Sequence, residues 1–147
     1  QDRVTRRVYN WEEGFSDWNE GNCSLKYIRK LIGKALKQYK LGPIPVKGHP
    51  KGRTAYYEIF KDGSAEFRVP PKHKNAAIAL HEAAHHVADT YFGDDGPEHS
   101  KEWLGIYLWL MAKHKVAPRI ALEASAQAKG LEWASRMSPG YVTKRAA

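Results

Sequence analysis

The residues in this chain best suited to chemistry are His81, Glu82 and His85, in the run His81-Glu82-Ala83-Ala84-His85. If the run is helical, side chains four residues apart share a face and lie about 6 Å apart along the axis, so the two imidazoles point the same way. Two neutral imidazoles so placed can hold one Zn²⁺ at about 2.0–2.1 Å. Glu82, one residue after the first ring, can then reach water at the ion as a general base. This is the chemistry of metal-assisted hydrolysis. On its own, a five-residue pattern in a basic chain is as readily two ordinary histidines as a metal site, so a further donor is required. A catalytic zinc takes three protein ligands and keeps a position open.

The stretch from Gly93 to Met111 offers that donor, where a Gly/Asp-rich loop runs into a strongly apolar segment. Asp95 followed three residues later by Glu98 has the spacing of a capping box, and Pro97 is tolerated in a first turn, so a helix is expected to begin here. His99 then falls near its first turn. A helix returning antiparallel to the first would carry His99 beside His81 and His85, which makes it the predicted third ligand. The carboxylate alternatives are Asp95, Glu98 and Glu102; the first two would be occupied as caps, leaving Glu102 as the main rival.

His81-Glu-Ala-Ala-His85 followed by His99-Ser-Lys-Glu-Trp103 resembles the SprT-like (Spartan-type) zinc metallopeptidases, in which a His-Glu-x-x-His helix precedes a His-x-x-x-aromatic segment opening the next helix. The resemblance covers roughly residues 44–111. It implies a minimal zincin-like domain in which His81, His85 and His99 bind zinc and Glu82 activates water. The implied reaction is hydrolysis of peptide bonds, often in proteins associated with DNA. The lone Cys23 leaves no means of building the Cys-rich zinc ribbon that some members append.

These residues need elements to position them. Asn75 is a plausible N-cap for a helix running to about Tyr91, and Pro70-Pro71 closes off whatever precedes it. Upstream, residues 54–60 and 64–69 are rich in β-branched and aromatic side chains around Asp62-Gly63, a strong hairpin signal. With the short apolar run Ile44-Pro45-Val46 they predict a small antiparallel sheet. Its edge, expected at residues 65–69, would border the cleft and take an extended substrate through backbone hydrogen bonds. Ser24 caps a predicted helix from Leu25 to about Tyr39, with Leu25, Ile28, Leu31, Ile32, Ala35 and Leu36 on one stripe. After Pro118 a helix is expected through Ala128, interrupted at Gly130 and resuming over residues 131–137, with Ser138-Pro139-Gly140 breaking it before a mobile basic tail.

Other side chains near the centre invite roles. Asp89, one turn past His85, could orient a ligand imidazole through its free N–H, against a default of simple exposure near a helix end. His86 points about 100° away from the metal face and is not expected to ligate. His49 and His73 lie in Pro/Gly/Lys-rich loops that could flank the cleft. Peptide hydrolysis also needs a hydrogen-bond donor for the developing oxyanion, and Tyr107, His114 and Tyr141 are the candidates, with plain core packing the alternative for Tyr107.

At 147 residues the chain is read as one domain, 1–147, with an N-terminal arm over 1–20 and a basic tail over 138–147. A single cysteine excludes an internal disulfide framework, and no secretion-signal pattern is visible, so an intracellular location is expected, cytoplasmic or beside DNA. The apolar run 103–112 is too short to span a bilayer, so no membrane partner is expected. The net charge of +8 suits nucleic acid or another anionic partner. Lys26, Arg29, Lys30, Lys34 and Lys37, on the polar face of the 25–39 helix, are the nucleic-acid-binding candidates, against the commoner reading of a solvated face. The aromatics of the arm, Tyr9, Trp11, Phe15 and Trp18, could stack on unpaired bases but are more readily packing residues.

The expected molecule is therefore an α+β zincin-like monomer, with its small sheet packed against the His-Glu-x-x-His helix and flanking helices around both. Its expected activity is zinc-dependent endoproteolysis of protein or peptide substrates. The competing expectation is a basic nucleic-acid-binding protein with a structural zinc or an inactive protease remnant, which a fourth protein ligand would favour.

Overall fold

The computed structural model describes residues 2–15, 18 and 21–145. Six α-helices, one 3₁₀ turn and three strands make up the described residues, in the order α1 (Arg3–Glu12), α2 (Leu25–Gln38), β1 (Val46–Gly48), β2 (Tyr56–Ile59), β3 (Ala65–Val69), the 3₁₀ turn Pro71–His73, α3 (Ala76–Phe92), α4 (Lys101–Lys113), α5 (Arg119–Ala128) and α6 (Pro139–Arg145). The α+β class is as expected.

α3 is the central element. The Asn75 side chain accepts the Ile78 N–H at 2.9 Å, which satisfies one of the orphan donors of the first turn. From Ala77 to His85 every residue is buried, so the helix is enclosed rather than amphipathic. The small side chains Ala77, Ala79, Ala83 and Ala84 let α2 and α4 approach its flanks. Gly93, with φ +90, ends it in a conformation that a Cβ would disfavour.

α4 begins later than the spacing of Asp95 and Glu98 predicts. Its N-cap is Ser100, whose hydroxyl accepts the Trp103 N–H at 3.1 Å, and residues 94–97 are loop. Ser100 wins because its helix can bury Trp103 completely, whereas a start at Asp95 would draw an exposed Gly-Pro segment into the first turns. His99 therefore sits in the turn before the cap rather than inside the helix.

The sheet is mixed, not antiparallel. Its order is β1-β3-β2, with β1 parallel to β3 (Val46 opposite Phe67) and β2 antiparallel to it (Tyr57 opposite Phe67). The hairpin turns at Asp62-Gly63 as expected, with Gly63 at φ +87 and the Asp62 carboxylate accepting the Ser64 N–H. β3 alternates buried and half-buried residues and has a neighbour on each side, so it offers no edge; the edge expected there belongs to β2.

The expected N-terminal arm contains a true helix, α1, capped by Asp2 and burying Thr5, Val8, Trp11 and Glu12. The C-terminal third departs from expectation twice. Residues 131–137 do not resume a helix but lie over α4, where the Ala134 N–H donates to the Lys101 carbonyl and a Cβ at Gly105 would come within 2.5 Å of Ala134 O and Met137 Cγ. Ser138-Pro139-Gly140 starts a helix instead of breaking one, because proline suits a first helical turn, and α6 seats Val142 in the core. Part of the expected tail is thereby held in the fold. No helix among the described residues is long and apolar enough to cross a membrane.

Candidate metal centre

α3 sets His81 and His85 on one face, and the turn before α4 brings His99 to them. His85 Nε2 lies 3.2 Å and His99 Nε2 3.4 Å from His81 Nε2, and all three rings are buried. Tetrahedral ligands held at 2.0–2.1 Å from one ion stand roughly 3.3–3.4 Å apart, so these spacings are those of ligands sharing a cation. Among the described residues no carboxylate or cysteine joins the cluster. The carboxylate rivals Asp95, Glu98 and Glu102 line the adjoining cavity instead.

Two ring orientations are set from α1. Glu12 Oε2 lies 2.7 Å from His81 Nδ1, so that nitrogen donates and Nε2 carries the lone pair. Thr5 Oγ1 lies 3.0 Å from His99 Nδ1 and, acting as acceptor, leaves that Nε2 free in the same way. The single lone pair on His81 Nε2 can take a proton from only one of its neighbours, whereas a cation satisfies all three nitrogens at once. Glu12 is wholly buried; its Oε2 also accepts the Tyr107 hydroxyl at 2.8 Å, and its Oε1 has no partner among the described residues. An unneutralised carboxylate in that position is costly, and a cation on the far side of the His81 ring supplies the missing positive charge.

The protonation of the centre follows from burial and charge. Burial holds the His85 imidazole well below its usual range, helped by His81 and His99. Burial and the neighbouring His81 also pull His99 down to about 3. Both rings are neutral at pH 7, the form that ligates. For His81 burial acts downward, but the Glu12 charge and hydrogen bond, with Glu82 and Glu98, outweigh it and raise the ring. Burial pushes the Glu82 carboxyl up to about 7, a range suited to trading protons. Its Oε1 lies 4.0 Å from His81 Nε2.

The centre opens onto a cavity of about 920 Å³ lined on one side by β2 residues and on the other by α3 and the 93–98 loop. His81, Glu82 and His85 are in its wall, with Tyr9 and Trp18 beside them. Trp103 closes the centre from behind, stacking on His85 and donating from Nε1 to the His81 carbonyl.

Several predicted roles move. Asp89 lines the cavity with no bond to a ligand ring; burial, then Asp94 and Glu98, push its carboxyl up to about 6. The carboxylate that orients an imidazole is Glu12, which sequence spacing could not single out. Tyr107 is wholly buried, with its hydroxyl on Glu12 Oε2 and the Ala77 carbonyl, so it supports the centre from outside the cavity. His114 pairs with Gln38 at the end of α4, and Tyr141 is exposed on α6; neither lines the cavity. His86 faces away from the metal cluster as expected, its Nδ1 2.8 Å from the Tyr57 hydroxyl. His73 lines the cavity and accepts the Ala55 N–H, while His49 packs edge-on to Tyr56.

Of the N-terminal aromatics, Trp11 and Phe15 serve packing, Trp11 being buried with its Nε1 donating to Ser125 and Phe15 standing against it, whereas Tyr9 and Trp18 line the cavity. Lys26, Lys30, Lys34 and Lys37 are exposed on α2, while Arg29, also exposed, donates from Nε to the Val46 carbonyl; none of the five lines the cavity. No family model, curated protein or solved structure matches the chain, so the reading of this site rests on its own geometry.

Proposed function

We propose that this chain is a zinc-dependent endopeptidase of the SprT-like, zincin kind, with His81, His85 and His99 as ligands and Glu82 as general base. The observation that carries the reading is the convergence of three buried imidazoles, with His85 Nε2 and His99 Nε2 each at tetrahedral spacing from His81 Nε2, beside a buried carboxylate at the wall of an open cavity. Borderline-soft imidazole donors in this number and shape suit zinc. Zinc so held supplies Lewis acidity toward a carbonyl oxygen and toward water.

The chain's own residues do the rest. Glu82 takes a proton from the attacking water and returns it to the departing amine, and its raised pKa places it near neutrality for both transfers. Glu12 and Thr5 hold two rings in the tautomer that presents Nε2. The free edge of β2, with residues 54–57 in the cavity wall, is placed to receive an extended peptide through backbone hydrogen bonds, giving grip with little regard to side-chain sequence. A structural zinc would call for a fourth protein ligand, and none joins the cluster among the described residues.

The test is Glu82→Gln against the parent protein, with metal content and cleavage of unfolded casein measured together. The variant should keep its zinc and lose about 10²–10⁴-fold in turnover, the usual contribution of a positioned base. Equal turnover, or a parent protein that purifies without metal and takes none up, would reject the reading.

A further inference from the structure

The three side chains expected to support the oxyanion all lie elsewhere, which leaves the proposed reaction without a hydrogen-bond donor at the scissile carbonyl. α1 supplies a replacement. Thr5, Tyr9 and Glu12 stand at positions i, i+4 and i+7 of that helix, and such positions share one face. The outer two reach the centre directly, Thr5 at His99 Nδ1 and Glu12 at His81 Nδ1. Tyr9, between them, packs edge-on against the His99 ring with centroids 5.6 Å apart. It lines the cavity, half-buried, and its hydroxyl has no hydrogen-bond partner among the described residues.

Thr54, Tyr56, Tyr57 and Ser100 also carry hydroxyls in the wall, and the Tyr56 ring packs on His49 rather than on a ligand imidazole. The Tyr57 hydroxyl is paired with His86 Nδ1, and Ser100 Oγ accepts the Trp103 N–H as the cap of α4, which fixes the position of that hydroxyl without using its proton. His73 accepts the Ala55 N–H on Nδ1 and so presents an Nε2–H, but the Trp18 ring packs against both it and His81.

We propose that Tyr9 is a catalytic residue whose O–H donates a hydrogen bond to the oxyanion formed at the scissile carbonyl. The role rests on the peptidase reading above. In the step concerned, the water oxygen bonds to the carbonyl carbon, the C=O π pair moves onto oxygen, and Glu82 receives the water proton. The C–N bond then breaks, and that proton leaves on the amine. Tyr9 keeps its own proton throughout and contributes only a hydrogen bond that strengthens as the oxygen gains charge.

Tyr9→Phe removes that donor and little else. On an internally quenched peptide, kcat should fall about 10²–10³-fold with KM changed by less than about threefold, the pattern of an interaction made only in the transition state. Zinc content and melting temperature should match the parent's. A phosphinic peptide, whose tetrahedral oxygens imitate the oxyanion, should bind the zinc-loaded variant at least about tenfold more weakly by calorimetry. A retained kcat, an unchanged phosphinic-peptide affinity, or a loss of both that follows His73→Gln instead would each overturn the assignment. If the parent protein cleaves nothing, the peptidase reading fails by itself, and calorimetry still decides Tyr9: equal affinities, or no binding by the parent, dismiss it.

Discussion

Glu12 Oε2 and His81 Nδ1 lie 2.7 Å apart across 69 residues of sequence, and the oxygen that meets the ring also takes the hydroxyl of Tyr107. The pairing joins α1, α3 and α4 at one buried carboxylate. It decides which His81 nitrogen is left for a cation and makes that nitrogen more basic.

Glu12→Gln keeps the shape of this contact and removes its charge. The metal should be bound about 10–100-fold more weakly, as when other carboxylates behind ligand imidazoles are lost. Competition with a chromophoric chelator measures it; equal affinity in the two proteins would show that the carboxylate matters only for packing.

Stripping the metal should cost global stability, because three buried imidazoles then face one another with no shared cation. At free zinc about a thousandfold above Kd, the loaded form gains about 4 kcal/mol over the stripped one. Melting curves with and without phenanthroline would show it, with recovery on adding zinc. A melting temperature indifferent to the chelator would mean that the rings share no ion.

Asp89 gives a pH dependence of definite sign. Its carboxyl rises from 3.8 to about 6 in the fold, chiefly through burial and then through Asp94 and Glu98. The folded chain thus holds this proton more tightly than the unfolded one, and the stability so contributed is complete below pH 3.8 and disappears as the pH climbs through 6. Asp89→Asn does not titrate. In metal-free protein the variant should gain on the parent between those limits and be the more stable at pH 7. Parallel melting profiles across that range would contradict the assignment.

Gly105→Ala tests how closely residues 131–137 lie on α4. The added methyl would meet Ala134 O and Met137 Cγ at 2.5 Å, so a loss of about 1–3 kcal/mol in urea unfolding is expected despite alanine's better helix propensity. A gain in stability would show that this covering segment moves aside freely.

The exposed lysines of α2 are opposite in charge to the phosphates of duplex DNA, which makes contact through this face a proposal that salt dependence can test. Exchanging Lys26, Lys30, Lys34 and Lys37 for glutamine should weaken duplex binding and flatten its salt dependence by about 3–4 in the log–log slope, near one per lysine. Casein cleavage should not change, because none of the four lines the cavity. Equal slopes would assign this face to solvent.

His81, Glu82 and His85 were legible because four-residue spacing on a helix is a local fact. His99 was legible as a donor although the start of its helix was not, since Asp95-x-x-Glu98 and Ser100-x-x-Trp103 both look like caps and only the burial of Trp103 chooses between them. The sheet order could not be read, because the parallel pairing of Val46 with Phe67 passes over β2 to join β1 to the second arm of the hairpin. Glu12 stands next to Glu13 with nothing local to tell them apart. The helix carrying it did leave a trace, in an Asp2 cap and the burial of Thr5, Val8, Trp11 and Glu12 at helical spacing. Tyr107 was misplaced because the face it shares with the centre is the one Glu12 fills from behind.

Thr5 and Glu12 reach their rings across 94 and 69 residues, so the first turns of the chain finish what its middle begins. Pairings so distant carry a larger loop-closure cost than local ones. Until α1 docks against α3 and the turn before α4, the His81 and His99 rings lack the partners that fix which nitrogen they present.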